Sequence, residues 1–210
     1  MKNVLSLAAL ACAGSAMAGP TGLITIPVAD ILGNREFAYT YTISGTEKNI
    51  DPRWYHSQGF AFGFFDRFEF GFDEDFAGYT LLHFRLKILE DPKEARWAIS
   101  GGFNGWNQDD ETVATSHLVG RYDFSRFRLH AGVIRDFERT RPFVGLDGPI
   151  FGDCTWMAEY TGGPGGIAWA GLSVPVKGIN GLSLCGAMGF PDKRVDGYQF
   201  MFSASWGTKL

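Results

Sequence analysis

Three histidines, His83, His117 and His130, and a set of arginines and carboxylates between residues 67 and 159 are the groups whose chemistry suits proton transfer, metal binding or anion recognition. A hydrolase needs a serine or aspartate within reach of one imidazole and a third group that orients the ring. Ser100 and Ser116 share this stretch of chain, but neither sits in a nucleophile motif. The histidines show no His-x-His spacing that would suit a metal. The run Thr161-Gly162-Gly163-Pro164-Gly165-Gly166 has no Lys-Ser/Thr and no helix after it, so it reads as a hairpin tip rather than a phosphate loop. The sequence therefore predicts no catalytic residue, no metal and no cofactor.

What positions these groups is a two-residue repeat. Phe37, Tyr39, Tyr41 and Ile43 alternate with Ala38, Thr40 and Thr42, and Phe68, Phe70 and Phe72 alternate with Arg67, Glu69, Gly71 and Asp73. A period of two marks β-strands with one apolar and one polar face. About twelve such strands fall at 35–45, 56–65, 67–74, 79–89, 95–105, 112–123, 126–136, 141–147, 153–161, 166–175, 181–189 and 197–206. Pro142, Pro149 and nearby glycines interrupt two of them, so ten strands with one irregular crossing is the alternative count.

Residues 1–18 carry Lys2, an apolar run from Val4 to Ala13 and the ending Ala16-Met17-Ala18, which together predict a signal peptide cleaved before Gly19. Cys12 as a lipoprotein acceptor is the weaker reading, because Ala9 stands where leucine is usual. No later stretch reaches the roughly 18 to 20 apolar residues of a spanning helix. An exported chain with two-faced strands points to a single closed antiparallel transmembrane β-barrel over residues 35–210 in a bacterial outer membrane, apolar face to lipid and polar face to the lumen. A soluble β-sandwich is the competing fold, and it would have to hide an unusually large number of Phe, Trp and Leu side chains in its core.

On the barrel reading, the lumen parity takes Arg67, Glu69, Asp73, His83, Arg85, Lys87, Arg96, Asn104, His117, Arg121, Arg128, His130, Arg135 and Glu159. A salt-bridge network filling the interior is the first reading of this set, because unpaired buried charge is costly. A basic lining for anionic solutes or sugars is the second. The tryptophans fall near strand ends or on the lipid parity, as interfacial anchors do, with carbohydrate stacking on Trp54 or Trp106 as the alternative. Cys154 and Cys185 read as two free thiols. Segment 19–34 is apolar but broken by Pro27, which leaves three placements: an extra edge strand, a strap across the periplasmic mouth, or an inward plug. The tight connections at Asp66 and at 123–125 fall on the periplasmic side, and the longer polar ones at 46–55, 106–111 and 190–196 fall outside.

The net charge of -4 is mild and unclustered, which gives no footprint for nucleic acid. Gly197, Phe200 and Phe202 resemble the assembly signal of outer-membrane barrels, which implies the barrel-assembly machinery and outer-membrane lipid as partners. Three further stretches stand out: Pro20-x-Gly22-Leu23-Ile24-x-x-Pro27-x-Ala29 with Leu32-Gly33; Gly63-Phe64-Phe65-Asp66-Arg67-Phe68-Glu69-Phe70-Gly71; and Phe84-Arg85-Leu86-Lys87 through Glu90-Asp91-Pro92, with Glu159-Tyr160 downstream. In these the chain resembles the YjbH-type family of outer-membrane proteins associated with exopolysaccharide biosynthesis. The resemblance implies a role in envelope polysaccharide secretion, with polysaccharide as a partner. Porin-like passage of solutes, a sealed structural or assembly-partner barrel, and a lipid-modifying barrel enzyme are the other functions the pattern allows.

Overall fold

The computed structural model describes residues 22–47, 54–75, 80–104, 115–135, 139–193 and 197–210. The predicted leader, Cys12 and Trp106 lie outside these residues. Twelve strands follow one another: β1 (Glu36–Thr46), β2 (Tyr55–Phe64), β3 (Phe68–Asp75), β4 (Thr80–Glu90), β5 (Trp97–Asn104), β6 (Thr115–Asp123), β7 (Arg128–Arg135), β8 (Thr140–Phe151), β9 (Cys154–Thr161), β10 (Ile167–Pro175), β11 (Leu182–Pro191) and β12 (Gln199–Lys209). Each pairs antiparallel with its sequence neighbours, and β12 returns to β1 from Glu36↔Lys209 to Thr46↔Gln199, so the sheet closes. Closure pairs every edge, which an open sheet in hydrocarbon could not do.

The irregular stretch at residues 141–161 is two strands, giving a count of twelve rather than ten. β8 accommodates its prolines locally. Pro142 sits near the start of the strand opposite Val133, and Pro149 lies where the register with β9 shifts before Phe151, the kind of position in a sheet that tolerates a missing N–H. A second shift, between Lys87 and Leu89 in β4, turns Ile88 and Leu89 both outward.

Burial sorts the two faces. Ala38, Ala61, Glu69, His83, Val119, His130 and Glu159 are buried on one parity, while Phe62, Phe70, Leu118, Val133, Leu172, Leu184 and Phe202 lie on the other, most of them exposed. Glu69, fully buried in the wall, and Phe70, 43% exposed beside it, show that the charges face inward. Phe200 and Phe202 point outward on β12, and the residues after them continue that strand to Lys209.

The tight turn at 65–67 is built like a type I′ hairpin. Phe65 and Asp66 both adopt positive φ, at 55° and 58°, and the Arg67 N–H donates to the Phe64 carbonyl at 3.1 Å. Asn34 supports it, donating its N–H to Asp66 Oδ1 at 2.7 Å and accepting the Phe65 N–H on Oδ1 at 3.0 Å.

Glycine is needed on the inner face of β3. A Cβ on Gly71 would collide with the Phe60 carbonyl and with the imidazole of His83, which lies across it. Gly71→Val should therefore lower barrel stability by about 1–3 kcal/mol through overpacking, read as an earlier urea midpoint for loss of the heat-modifiable folded band, whereas the outward Leu118→Val should leave that midpoint nearly unchanged.

Candidate functional site

Twelve strands enclose more width than wall side chains alone can fill, and in this chain the segment before β1 occupies part of it. Ile24, Thr25, Ile26, Pro27, Val28 and Ala29 are all buried. Ile24 packs in one cluster with Met157, Ile167, Trp169, Ala187 and Met201. Ile26 and Ala29 pack in another with Ala98, Val119 and Phe143. These wall residues belong to seven different strands, so the segment stands within the lumen and is not draped across the mouth as a strap. Its tip is a tight turn in which Gly22 bridges Pro27 and the Leu23 N–H donates to the Ile26 carbonyl at 3.0 Å. The wall is thinned where the tip meets it. A Cβ on Gly145 would stand 2.6 Å from Ile26 Cδ1 and 2.8 Å from Leu23 Cδ2.

Polar contacts hold the segment at three levels. At the tip, the carboxylate of Glu159 on β9 accepts the Ile24 N–H at 2.9 Å, the Thr25 N–H at 2.7 Å, the Ile26 N–H at 3.4 Å, and the Thr25 hydroxyl. Among the described residues every hydrogen-bond partner of that carboxylate lies on the plug. In the middle, Arg85 on β4 donates to the Val28 carbonyl and, at 3.3 Å, to Glu69, and the Ser100 hydroxyl donates to the same carbonyl at 3.4 Å. Glu69 Oε2 also accepts the Leu32 N–H at 3.0 Å. At the mouth, Asp30 pairs with Arg121 and, at 3.1 Å, with Arg128. Arg128 in turn grips Asp147 at 2.7 Å, and Asp147 meets His130 at 2.7 Å.

The lumen set divides accordingly. Glu69, Asp73, His83, Arg85, His117, Arg121, His130 and Glu159 are buried on the inner face. Lys87 is half-buried and pairs with Glu90 at 3.1 Å. Arg128 lies at the mouth, with its side chain 44% exposed, and Asn104 faces His83 across β4 and β5.

Three members stand apart. Arg67 is exposed in the 65–67 turn, where the alternation has already ended. Arg96 precedes β5, pairs with Glu94 at 2.5 Å and leaves 61% of its side chain exposed. Arg135 falls on the outward parity at the end of β7. Trp169 departs from the interfacial placement in the other direction, since it is 4% exposed and points inward. Sequence reasoning missed Asp147 and Asp30, the two carboxylates that tie the mouth together. Alternation carried through 141–147 would have flagged Asp147, but nothing local marks Asp30.

Two imidazoles are oriented by carboxylates, His83 by Asp73 at 3.1 Å and His130 by Asp147. Their remaining ring nitrogens, and Nε2 of His117, have no hydrogen-bond partner among the described residues. No serine stands bonded to either pair, and no three metal-ligating side chains stand together among the described residues. Ser116 faces outward, and Ser100 is engaged with the plug. Cys154 and Cys185 are free thiols.

The arrangement is thus a closed antiparallel barrel whose charged inner wall holds a segment of the same chain. Similar folds occur among solved structures. The KdgM porin matches with a TM-score of 0.58 at 10% identity, over 80% of this chain and 98% of that one. OmpT, an outer membrane protein of Vibrio cholerae folded in vitro and solved in its trimer form, gives a TM-score of 0.38 at 7% identity, over 82% of this chain and 98% of that one. At such identities the likeness to the KdgM porin is one of fold. No family model and no curated protein matches the sequence.

Glu159 is the group whose loss should free the tip. In Glu159→Leu three plug N–H groups and a hydroxyl lose their carboxyl acceptor, at a cost on the order of 3 kcal/mol. Added protease should then cut within residues 22–33 while the barrel band persists. Cleavage no faster than in the unaltered protein would show that the carboxylate does not hold the plug.

Proposed function

We propose that this protein is an outer-membrane barrel of porin-like type, held closed by its own N-terminal segment and conducting when that segment leaves the lumen. The observation that carries this reading is the means of attachment. The segment is bound by hydrogen bonds and ion pairs to Glu159, Arg85, Glu69, Arg121 and Arg128, and such contacts can be exchanged for water or solute. The fold shared with the KdgM porin supports the class, and the outward aromatic and aliphatic band supports a place in lipid.

The solute class we favour is envelope polysaccharide. The resemblance to the YjbH-type family supports it, and so does the wall opposite the charges. There β12, β1 and β2 turn Thr40, Thr42, Ser57, Ser203 and Ser205 inward, with Thr40 and Ser205 hydroxyls 2.9 Å apart. A hydroxyl-lined strip exchanges hydrogen bonds readily with a sugar chain. The second reading is a permanently sealed barrel with a structural or assembly role, and the depth of burial of residues 24–29 favours it.

Planar-bilayer recording separates the two. The intact protein should pass little steady current, and a chain lacking residues 22–33 should pass a steady current that soluble polysaccharide reduces. Asp30→Ala, which leaves Arg121 and Arg128 without their plug partner, should give brief openings. A deletion chain that folds yet stays silent would favour the sealed barrel.

A further inference from the structure

The outward face of β1, β2 and β3 is not uniformly apolar. Toward the 47–54 connection, Tyr39, Tyr41, His56, Gln58 and Glu74 share the parity that nearer the 65–67 turn presents Phe60, Phe62, Phe70 and Phe72. They are linked to one another. The Tyr41 hydroxyl lies 2.6 Å from His56 Nδ1, the Tyr39 hydroxyl donates to Gln58 Oε1 at 3.4 Å, and Gln58 Nε2 donates to Glu74 Oε2 at 2.8 Å. Trp54 borders this group. Its ring covers Gly45, where a Cβ would stand 3.1 Å away, and it remains 48% exposed. On the other side, Phe60 stacks on Phe72 with centroids 4.8 Å apart at 26° and meets Tyr39 at 4.8 Å.

A carboxylate and an amide turned toward hydrocarbon are costly, so this band must meet polar matter. An indole face beside amide, carboxylate, imidazole and phenol groups suits a pyranose. The ring of the sugar lies on the aromatic face, and its hydroxyls both donate and accept. Resting on the outer-membrane reading above, we propose that the outer end of β1–β3 binds the saccharide headgroup of an outer-leaflet glycolipid, whose acyl chains run down over Phe60, Phe62 and Phe72. The occupant is lipid-borne because the polar groups sit on the outward wall, in line with rings that contact acyl chains, and not in the lumen.

The full chain is reconstituted into phosphatidylcholine vesicles containing rough-type lipopolysaccharide, or phosphatidylglycerol at equal charge, and the lipid retained after detergent extraction is quantified by mass spectrometry. Trp54→Ala and the double variant Gln58→Leu/Glu74→Gln should each retain roughly tenfold less lipopolysaccharide, the scale of one lost stacking face or polar pair, with phosphatidylglycerol retention low and unchanged. Equal lipopolysaccharide retention by the unaltered protein and both variants overturns the proposal. So does equal retention of phosphatidylglycerol, or displacement of the lipopolysaccharide by its lipid-free oligosaccharide at matched concentration. Heat-modifiable gel mobility is read on every sample. A chain that never shows it overturns the membrane reading and the proposal together, whereas folded barrels with equal retention overturn the proposal alone.

Discussion

A carboxylate buried in a barrel wall must find hydrogen-bond donors, and among the described residues Glu159 finds them on the chain's own N-terminal turn. The three backbone N–H groups of residues 24–26 and the Thr25 hydroxyl converge on its two oxygens. The dependence is mutual. Without Glu159 those N–H groups would be buried and unpaired, and without the turn the Glu159 carboxyl would be an unpaired polar group in the wall. The apolar clusters around Ile24 and Ile26 add area but no direction. The carboxylate sets where the tip stops.

The rest of the inner wall follows the same logic of exchangeable partners. Arg85 divides its donors between Glu69 in the wall and Val28 in the plug, and Asp30 brings a plug carboxylate between Arg121 and Arg128. The Gly22 to Ala29 motif is the plug itself, the Asp66 turn clamps Asn34 at its base, and Arg85 and Glu159 hold its middle and tip.

Strand number, boundaries and the two faces were legible because alternation is a local property that each strand repeats. The limits of that signal are equally local. Arg67 and Arg96 were assigned inward by extending the alternation past strand ends, where a turn resets direction, and Arg135 by extending it along the wrong parity. Asp147 lies within the expected strand 141–147 on the inward parity, but Pro142 and Pro149 interrupt the alternation that would have marked it; the register shift near Pro149 lets the strand run on to Phe151. The depth of the plug, and with it the roles of Asp30 and Trp169, depends on the width of the closed barrel. An apolar segment broken by a proline is compatible with a mouth, an edge or a lumen until the far wall is in place.

Amide hydrogen exchange of the unaltered protein in lipid vesicles, resolved to the peptide covering residues 22–29, tests the central claim most directly. Burial of those residues with their N–H groups on Glu159 predicts protection comparable with that of the wall strands, slower by orders of magnitude than an unstructured segment. Exchange of that peptide at the rate of a free chain, with the strands still protected, would contradict a lumen occupied by its own N-terminal segment.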